Sequence, residues 1–316
     1  MKKLCFLLFI FSTELYAQKI KSAAFHVVPL GVKGGIDGSN LSAYLVAPIN
    51  TNNYVCLDAG TVTAGIEKSV ANGTFTENAE VVLKQYIKGY FISHAHLDHV
   101  SGLIITSPND SSKTVYALPN CMTMLEDYYF NGEAWTNFGD EGKGFLLKKY
   151  HFKKLAAGEE TTIDNTAMRV TAFPLSHVNP FESTAFLIRN SDQYVLYLGD
   201  TGADEIEKSN KLQLLWQQVA PLIKEGKLKG IFIEVSFPND QPDSKLFGHL
   251  TPKWLMKEMD VLSALTGTEA LKGFSVVITH VKPPTLRIRQ LTEQLKAANK
   301  LRLNLIFPAQ GKAFNL

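Results

Sequence analysis

Residues 93–108 read SHAHLDHVSGLIITSP, and this short segment places His94, His96, Asp98 and His99 within six positions. An apolar, strand-like run precedes the cluster and an apolar pattern resumes from Val100, so the polar side chains should occupy a turn at the end of a strand. Neutral imidazole and carboxylate are ligands that Zn2+, Mn2+ and Fe2+ prefer. A lone histidine would favour an ordinary polar turn, but four ligand-type residues at this spacing predict a metal site.

Further ligand-type residues stand at the ends of three other strand-like runs. His177 follows FPLS, Asp200 follows YVLYLG and His280 follows FSVVIT. One turn cannot supply the ligands of two ions, whereas several strand ends can converge on one point. Each of the three residues alone is equally well explained as structural, and it is their shared position that makes them candidate ligands.

The apolar runs predict the organisation of the chain. Strands precede helices in the first half, and the second half repeats that order, without a dinucleotide-binding glycine fingerprint, a short-period repeat or a linker. The pattern predicts an α/β fold in which two mixed sheets pack together with helices outside, in one domain from about residue 18 to residue 316. The strand-type runs cover residues 23–31, 42–49, 54–60, 89–94, 114–119, 168–177, 184–200, 230–236, 274–280 and 301–309. The helical patterns cover residues 77–88, 120–130, 210–227, 251–265 and 284–299.

The chain begins MKKLCFLLFIFSTELYAQ, in which two lysines precede an apolar run too short to span a bilayer. This pattern predicts a secretory signal peptide, residues 1–17, and hence a periplasmic or secreted product; a buried first strand is the alternative. Cleavage after Ala17 would remove Lys2, Lys3 and Glu14 and leave 30 basic and 29 acidic side chains. That balance predicts no nucleic-acid partner and, after cleavage, no membrane association. The oligomeric state stays open.

Four residues of reactive types receive structural roles. Cys56 and Cys121 are predicted as buried thiols rather than a disulfide, because Cys56 lies inside the apolar run YVCLDAG. His26 and His151 stand in strand-like surroundings without ligand-type neighbours. We therefore expect none of the four in the metal site.

The segment HAHLDHVSGLIITSP (residues 94–108) resembles the HxHxDH loop of the metallo-β-lactamase superfamily, and within it the narrower pattern of class II cyclic-nucleotide phosphodiesterases. In that narrower pattern a leucine, here Leu97, precedes Asp98, and GLIITSP follows. Val235 stands where this family more often has a cysteine, a departure that should not touch the chemistry. The resemblance spans nearly the whole chain after residue 17. It also rests on SHVNPFESTAFLI (176–188), IFIEVS (231–236), LFGHLTP (246–252) and THVKP (279–283).

The resemblance implies a metallo-β-lactamase-like αββα sandwich and a centre of two divalent metal ions. Zn2+ is the first choice and Mn2+ or Fe2+ are the alternatives, because the ligand types suit all three. The implied ligands form two trios joined by a bridging carboxylate: His94, His96 and His177; Asp98, His99 and His280; and Asp200 as the bridge.

The implied reaction is hydrolysis of 3′,5′-cyclic nucleotides, cAMP, cGMP or both, to 5′-monophosphates. A hydroxide shared by the two ions would attack phosphorus opposite the leaving 3′ oxygen. Two alternatives stay open: a lactonase or β-lactamase that uses the same centre to attack a carbonyl, and a catalytically silent, metal-stabilised binding module. The segments GLIITSP and FGHLTP favour phosphodiester chemistry.

Asp98 and His249 are the candidate catalytic residues. Asp98 would act as a charged metal ligand, and His249 would protonate the leaving oxygen or contact the phosphate. A structural role at a helix entry is the alternative for His249, which precedes Thr251, a candidate N-cap, and Pro252 at the first helical position. Asp58, at the end of another strand-like run, would accept a hydrogen bond from a ligand imidazole and orient it.

Overall fold

The computed structural model describes residues 23–316, so the predicted signal peptide lies outside the described residues. No helix in this range is both long and apolar enough to cross a membrane. The strands are β1 (Phe25–Gly31), β2 (Ala43–Pro48), β3 (Tyr54–Leu57), β4 (Ile87–Phe91), β5 (Lys113–Ala117), β6 (Tyr150–Lys154), β7 (Glu160–Thr162), β8 (Met168–Ser176), β9 (Glu182–Asn190), β10 (Gln193–Leu198), β11 (Leu228–Glu234), β12 (Ser275–Thr279), β13 (Asn304–Ile306) and β14 (Phe314–Asn315). The helices are α1 (Thr63–Ala71), α2 (Ala79–Val81), α3 (Leu97–Thr106), α4 (Pro119–Met124), α5 (Asp204–Glu207), α6 (Lys211–Lys224), α7 (Pro252–Thr266), α8 (Thr268–Leu271) and α9 (Thr285–Ala298). Short π-helical turns, Val82–Tyr86 and Leu125–Tyr129, extend α2 and α4.

The strands form two seven-stranded sheets that mix parallel and antiparallel pairs. Sheet 1 has the order β14-β1-β2-β3-β4-β5-β6, and sheet 2 has the order β13-β12-β11-β10-β9-β8-β7. In sheet 2, β10, β11 and β12 run parallel. Because β8 is antiparallel to β9 and β9 to β10, β8 also runs in that direction. The C-terminal ends of β8, β10, β11 and β12 therefore lie at the same edge of sheet 2.

Three apolar layers hold the sheets and helices together. The central layer lies between the sheets, where Phe91 stacks on Tyr116 and meets Phe186 of the opposite sheet edge-on. A second layer joins sheet 1 to α1, α3 and α4, and a third joins sheet 2 to α6, α7 and α9. This is the predicted αββα sandwich. Burial of both faces of each sheet explains why most strands are nearly continuous apolar runs.

The element predictions are confirmed for the apolar segments and incomplete for the polar ones. Every predicted strand-type run overlaps a strand, one of them overlaps both β9 and β10, and every predicted helical pattern overlaps a helix. The sequence did not predict β6, β7, β14, α1, α3, α5 or α8. β6 reads YHFKK and β7 reads ETT, at one end of each sheet, where polar side chains remain in water and weaken the apolar signal.

The start of α3 corrects the prediction for the polar cluster. The cluster was expected to occupy a turn ending before Val100, but α3 begins at Leu97, with His96 in extended conformation just before it. Asp98 and His99 consequently lie in the first helical turn. A carboxylate there is favoured by the partial positive charge of the helix N-terminus.

Candidate metal centre

Strand ends from the two sheets meet at one point. Sheet 1 contributes the turn after β4, which carries His94 and His96 and leads into α3. Sheet 2 contributes His177 after β8, Asp200 after β10 and His280 after β12. The parallel direction of these three strands explains why residues distant in sequence come together. All seven predicted ligands belong to groups of side chains whose ligand atoms lie close enough to hold a metal ion.

The first predicted trio is compact. His94 Nε2 lies 3.0 Å from His96 Nδ1, and His177 Nε2 lies 3.4 Å from the same His96 atom. His94 and His177 are buried, whereas His96 is exposed. A cation bound by these three nitrogens would therefore be reached from the side of His96.

The second predicted trio joins α3 to the end of β12. His280 Nε2 lies 3.1 Å from Asp98 Oδ2, which also accepts a 2.8 Å hydrogen bond from the backbone N–H of Gly35. His99 completes this group, with its ligand atom within 4.8 Å of the other two. The loop before β2 thus fixes the carboxylate that faces His280.

Asp200 lies between the two trios. Its Oδ2 is 3.9 Å from Nε2 of both His94 and His177, and 3.2 Å from His280 Nε2. Its Oδ1 is 3.3 Å from His99 Nε2. One buried carboxylate therefore reaches histidines of both trios, as a bridging ligand must.

The residues present fit divalent cations. His99 Nε2 is buried and makes no hydrogen bond of good geometry among residues 23–316, although Asp200 Oδ1 lies 3.3 Å away and the Nδ1 of the same ring lies 2.7 Å from Asp58 Oδ2. A buried polar atom without a partner destabilises the fold by about 1–3 kcal/mol unless another group binds it. A cation at that nitrogen would remove this cost, and the imidazole and carboxylate set is one that Zn2+, Mn2+ and Fe2+ accept.

At four of the predicted ligands, electrostatics favour the protonation state that a metal ligand needs. Burial lowers the pKa of His94 and of His177, which keeps both imidazoles neutral. Burial opposes ionisation of Asp98, but the hydrogen bond with His280 and the nearby His99 hold its pKa below the ordinary value. Burial likewise opposes ionisation of Asp200, and the charges of His280 and His99 lower its pKa more strongly. His99 is the exception: burial lowers its pKa, but the carboxylates of Asp200 and Asp58 raise it above the ordinary value.

Asp58 is a buried acceptor behind the ligand turn, as predicted. Its Oδ1 accepts a 2.7 Å hydrogen bond from the backbone N–H of Ser93. Its Oδ2 accepts hydrogen bonds from Ser93 Oγ at 2.8 Å and Tyr197 Oη at 2.6 Å, and lies 2.7 Å from His99 Nδ1. These contacts hold His99 with its Nε2 toward Asp200.

A third buried carboxylate, Glu234 at the end of β11, was missed by the sequence analysis. It accepts hydrogen bonds from Ser236 Oγ at 2.7 Å and from the backbone N–H of Thr201 at 3.1 Å, and its Oε1 lies 2.7 Å from His249 Nδ1. Burial and the charge of Asp200 raise the pKa of Glu234 to about 7. The sequence contains the signal that would have identified it: Glu234 stands near the end of the apolar run IFIEVS, just as Asp200 stands at the end of YVLYLGD.

His249 lies beside the centre and also directly before α7. Its Nδ1 is 3.6 Å from Asp200 Oδ2, and its Nε2 is 2.8 Å from Lys282 Nζ. Burial lowers the pKa of His249 to about 4. The predicted helix start after it is confirmed: Thr251 caps α7 by accepting a hydrogen bond from a backbone N–H, and Pro252 is the first helical residue.

Glycines allow the backbone to approach the ligands closely. A Cβ atom added to Gly34 would lie 2.1 Å from Cε1 of His280. One added to Gly248 would lie 2.6 Å from His177 Nδ1, and the φ of +74° at this glycine is a conformation that side chains disfavour. The carbonyl of Gly248 lies 2.9 Å from His177 Nδ1 and orients that ring.

Residues assigned to structure do stay outside the centre. Cys56 and Cys121 are buried free thiols. His26 Nδ1 lies 2.7 Å from Asn315 on β14, and His151 contacts Asp140 at the far side of sheet 1. None of the four appears in the ligand groups.

The sequence from residue 23 to residue 311 matches the family model of class-II cAMP phosphodiesterases. The chain belongs to this family. A 3′,5′-cyclic-nucleotide phosphodiesterase of Aliivibrio fischeri is 44% identical over 94% of both chains. A probable 3′,5′-cyclic-nucleotide phosphodiesterase of Yersinia pestis is 40% identical over 96% of this chain and 92% of that protein. The resemblance found in the sequence is thereby confirmed.

Solved structures support the fold. The structure matches that of unliganded yeast PDE1 with a TM-score of 0.82 and 23% identity, over 93% of this chain and all of the yeast chain. It also matches the metallo-β-lactamase fold protein YhfI of Bacillus subtilis with a TM-score of 0.62 and 14% identity, over 92% of this chain and 99% of that one. At these identities the matches show the αββα fold alone.

Proposed function

We propose that the protein hydrolyses 3′,5′-cyclic nucleotides, cAMP, cGMP or both, to 5′-monophosphates at the centre formed by the two trios and Asp200. The observation that carries the proposal is the position of Asp200, whose two oxygens reach histidines of both trios. Membership of the class II family supplies the substrate class. The relatives from Aliivibrio and Dictyostelium are likewise named as phosphodiesterases of cyclic nucleotides.

The metal component of the proposal is two divalent cations, with Zn2+ first and Mn2+ or Fe2+ as alternatives. When bound, such a pair lowers the pKa of a shared water and stabilises negative charge on the phosphoryl oxygens during in-line displacement. His94, His96 and His177 would hold one cation. Asp98, His99 and His280 would hold the second cation, and Asp200 would bind both.

The chain's own residues orient this centre. Asp58 holds His99, and Ser236 Oγ lies 2.9 Å from His280 Nδ1, so that Nε2 of each ring faces Asp200. Phe181 stacks on His96 with ring centroids 4.9 Å apart. Fixed rings and carboxylates need no rearrangement when charge develops on the substrate, which is the main source of electrostatic catalysis.

Two other functions are compatible with the same arrangement of ligands. A lactonase or β-lactamase would use the same ligands to attack a carbonyl, and a silent binding module would keep the fold without turnover. The class II match favours the phosphodiesterase over both, because it extends beyond the ligand turn to nearly every described residue.

The test is turnover of cAMP, cGMP and a lactone by the chain without residues 1–17, with the metal content measured on the same sample. We expect a 5′-monophosphate and about two metal ions per chain. Hydrolysis of the lactone alone would replace the substrate class, and a metal-bound protein without turnover would favour the binding module. Asp192→Asn, at an exposed position in the β9–β10 turn, is the matched control for ligand variants.

Export is the remaining part of the proposal. The N-terminal sequence supports a periplasmic or secreted enzyme that meets a small cyclic nucleotide outside the cytoplasm. Fractionation of cells that express the full chain tests it, and mass spectrometry of the product would locate the cleavage site. An intact N-terminus in the cytoplasmic fraction would contradict export.

A further inference from the structure

Lys282 places an ammonium group beside the metal centre. It follows the ligand His280 by two residues and is half-buried. Its Nζ lies 2.8 Å from His249 Nε2 and 5.1 Å from the centroid of the Phe237 ring. Within residues 23–316 no carboxylate lies within ion-pair distance of Lys282, unlike many of the other lysines.

The hydrogen bonds of His249 fix which group donates to which. Lysine Nζ carries donors only, so Nε2 of His249 must accept from Lys282. Oε1 of Glu234 also accepts from the backbone N–H of Thr201, and it takes the Nδ1–H of His249 as its second donor. His249 is therefore oriented by Glu234 and presents a lone pair that holds the ammonium group.

The contacts of His249 place the ammonium group of Lys282 close to the centre. The His249 ring is stacked on the ring of His280 at 5.2 Å between centroids and lies 4.9 Å from the ring of His177. Lys282 is thus one hydrogen bond away from a ring that contacts ligands of both trios. A phosphodiester bound at the centre would lie within reach of its flexible side chain.

We propose that Lys282 is a substrate contact, whose ammonium group donates a hydrogen bond to an oxygen of the cyclic phosphate, and that Glu234 and His249 position it. The inference rests on the proposed function and deepens it. No proton is transferred in this step; Lys282 contributes its fixed charge and its N–H groups. Charge-assisted hydrogen bonds of this kind are about twice as strong as neutral ones.

Charge balance supports the assignment. Lys282 is half-buried and has no carboxylate partner among the described residues, and two divalent cations, when bound, would repel its ammonium group. An anionic phosphodiester would compensate the positive charge of Lys282 and of the cations together. His249, a candidate proton donor or phosphate contact on sequence grounds, then acts through Lys282 as a positioning residue.

The first experiment compares Lys282→Met, Lys282→Arg and wild-type enzyme in cAMP and cGMP hydrolysis. Lys272→Met is the matched control, because Lys272 is exposed and lies near the opposite end of β12 from His280. We expect kcat/KM to fall about 10- to 100-fold in Lys282→Met, as for loss of a hydrogen bond to a charged group, and less in Lys282→Arg. Metal content and melting temperature should match those of the control.

The outcomes separate the inference from the proposed function. An active wild-type enzyme with an equally active Lys282→Met variant would overturn the role of Lys282 and leave the phosphodiesterase intact. A wild-type enzyme with two metal ions and no turnover of either cyclic nucleotide would overturn both.

A second experiment tests the positioning role of His249. Its Gln variant keeps an acceptor for Lys282 and a donor for Glu234, whereas its Leu variant keeps neither. We expect His249→Gln to retain several-fold more activity than His249→Leu, and His249→Leu to add little to the loss in Lys282→Met. Equal losses in the Gln and Leu variants, or fully additive losses with Lys282→Met, would overturn the positioning role of His249.

Discussion

Asp98 combines a negative charge with two directed contacts, to His280 Nε2 and to the N–H of Gly35. We expect Asp98→Ala and His96→Ala each to abolish turnover while the fold persists, because each removes one ligand from a partly exposed position. Asp98→Asn should also lose activity, since the amide keeps the shape without the charge. Steady-state kinetics and circular dichroism check these outcomes together.

Substantial activity in the Asp98→Asn variant would contradict its assignment as a charged ligand. Loss of the native circular dichroism spectrum would instead place Asp98 among the residues required for folding. Asp192→Asn provides the comparison for an exposed carboxylate far from the ligands.

Asp58 affects the centre through its contact with His99. Asp58→Asn would turn an amide NH2 group toward donors that now meet a carboxylate oxygen. We expect the affinity for metal to fall about 10- to 100-fold, as is typical when a group that orients a ligand is lost. Metal retained after dialysis against a graded chelator measures this. Retention equal to that of wild type would show that His99 needs no such support.

Among the elements, residues at the end of an apolar run are the easiest to predict as ligands, although Glu234, which also ends such a run, was missed. His94, His177, Asp200 and His280 each follow a buried strand, so the strand directions and the packing of the two sheets bring them together. Lys282 gives no such signal, because its role depends on a contact with His249, which precedes a different element. Single-sequence patterns do not encode that kind of pairing.

A titratable side chain, Glu258, is buried where α5, α6 and α7 pack together. Glu258 on α7 is buried and accepts hydrogen bonds from Trp216 Nε1 on α6 and from the backbone N–H of Asp204 on α5, each at 3.1 Å. Burial raises the pKa of Glu258 above its ordinary value, although the bond from Trp216 opposes this. The protonated form is therefore favoured in the folded state, and its contribution to stability is lost as the pH rises through the folded pKa.

Glu258→Gln should remove this dependence. Relative to wild type, we expect the variant to gain stability as the pH is raised from below 4.5, the ordinary carboxyl pKa, toward neutrality. Urea unfolding at several pH values measures the difference in free energy of unfolding. Glu269→Gln, exposed on α8, is the control. A difference that stays constant with pH would contradict the buried-carboxyl account.

For the whole molecule, the centre is shared between the two sheets. Sheet 1 supplies the turn after β4 and the start of α3, and sheet 2 supplies His177, Asp200 and His280. Bound cations would therefore hold the sheets together in addition to the central apolar layer. Ligands that bind only the folded state at 100 times their dissociation constant stabilise it by about 2.7 kcal/mol.

Removal of metal should consequently lower both activity and melting temperature. We expect a chelator to abolish turnover and to lower the melting temperature by on the order of 5 °C, and Zn2+ or Mn2+ to restore both. Differential scanning calorimetry with and without chelator measures the shift. The His96→Ala variant should show a smaller shift, and an unchanged melting temperature in wild type would mean that the sheets do not depend on the cations.

The close approach of Gly34 to the His280 ring and of Gly248 to His177 bears on which mutations the enzyme tolerates. In a saturation library selected for activity, both positions should be depleted of every substitution, alanine included, although neither glycine has a side chain that could bind anything. Gly73 and Gly158, where an added Cβ meets no atom within 4 Å, should be far more permissive even though their φ values are also positive. Glycines at which every substitution abolishes activity would then mark the positions where the backbone approaches a ligand histidine too closely for a Cβ atom.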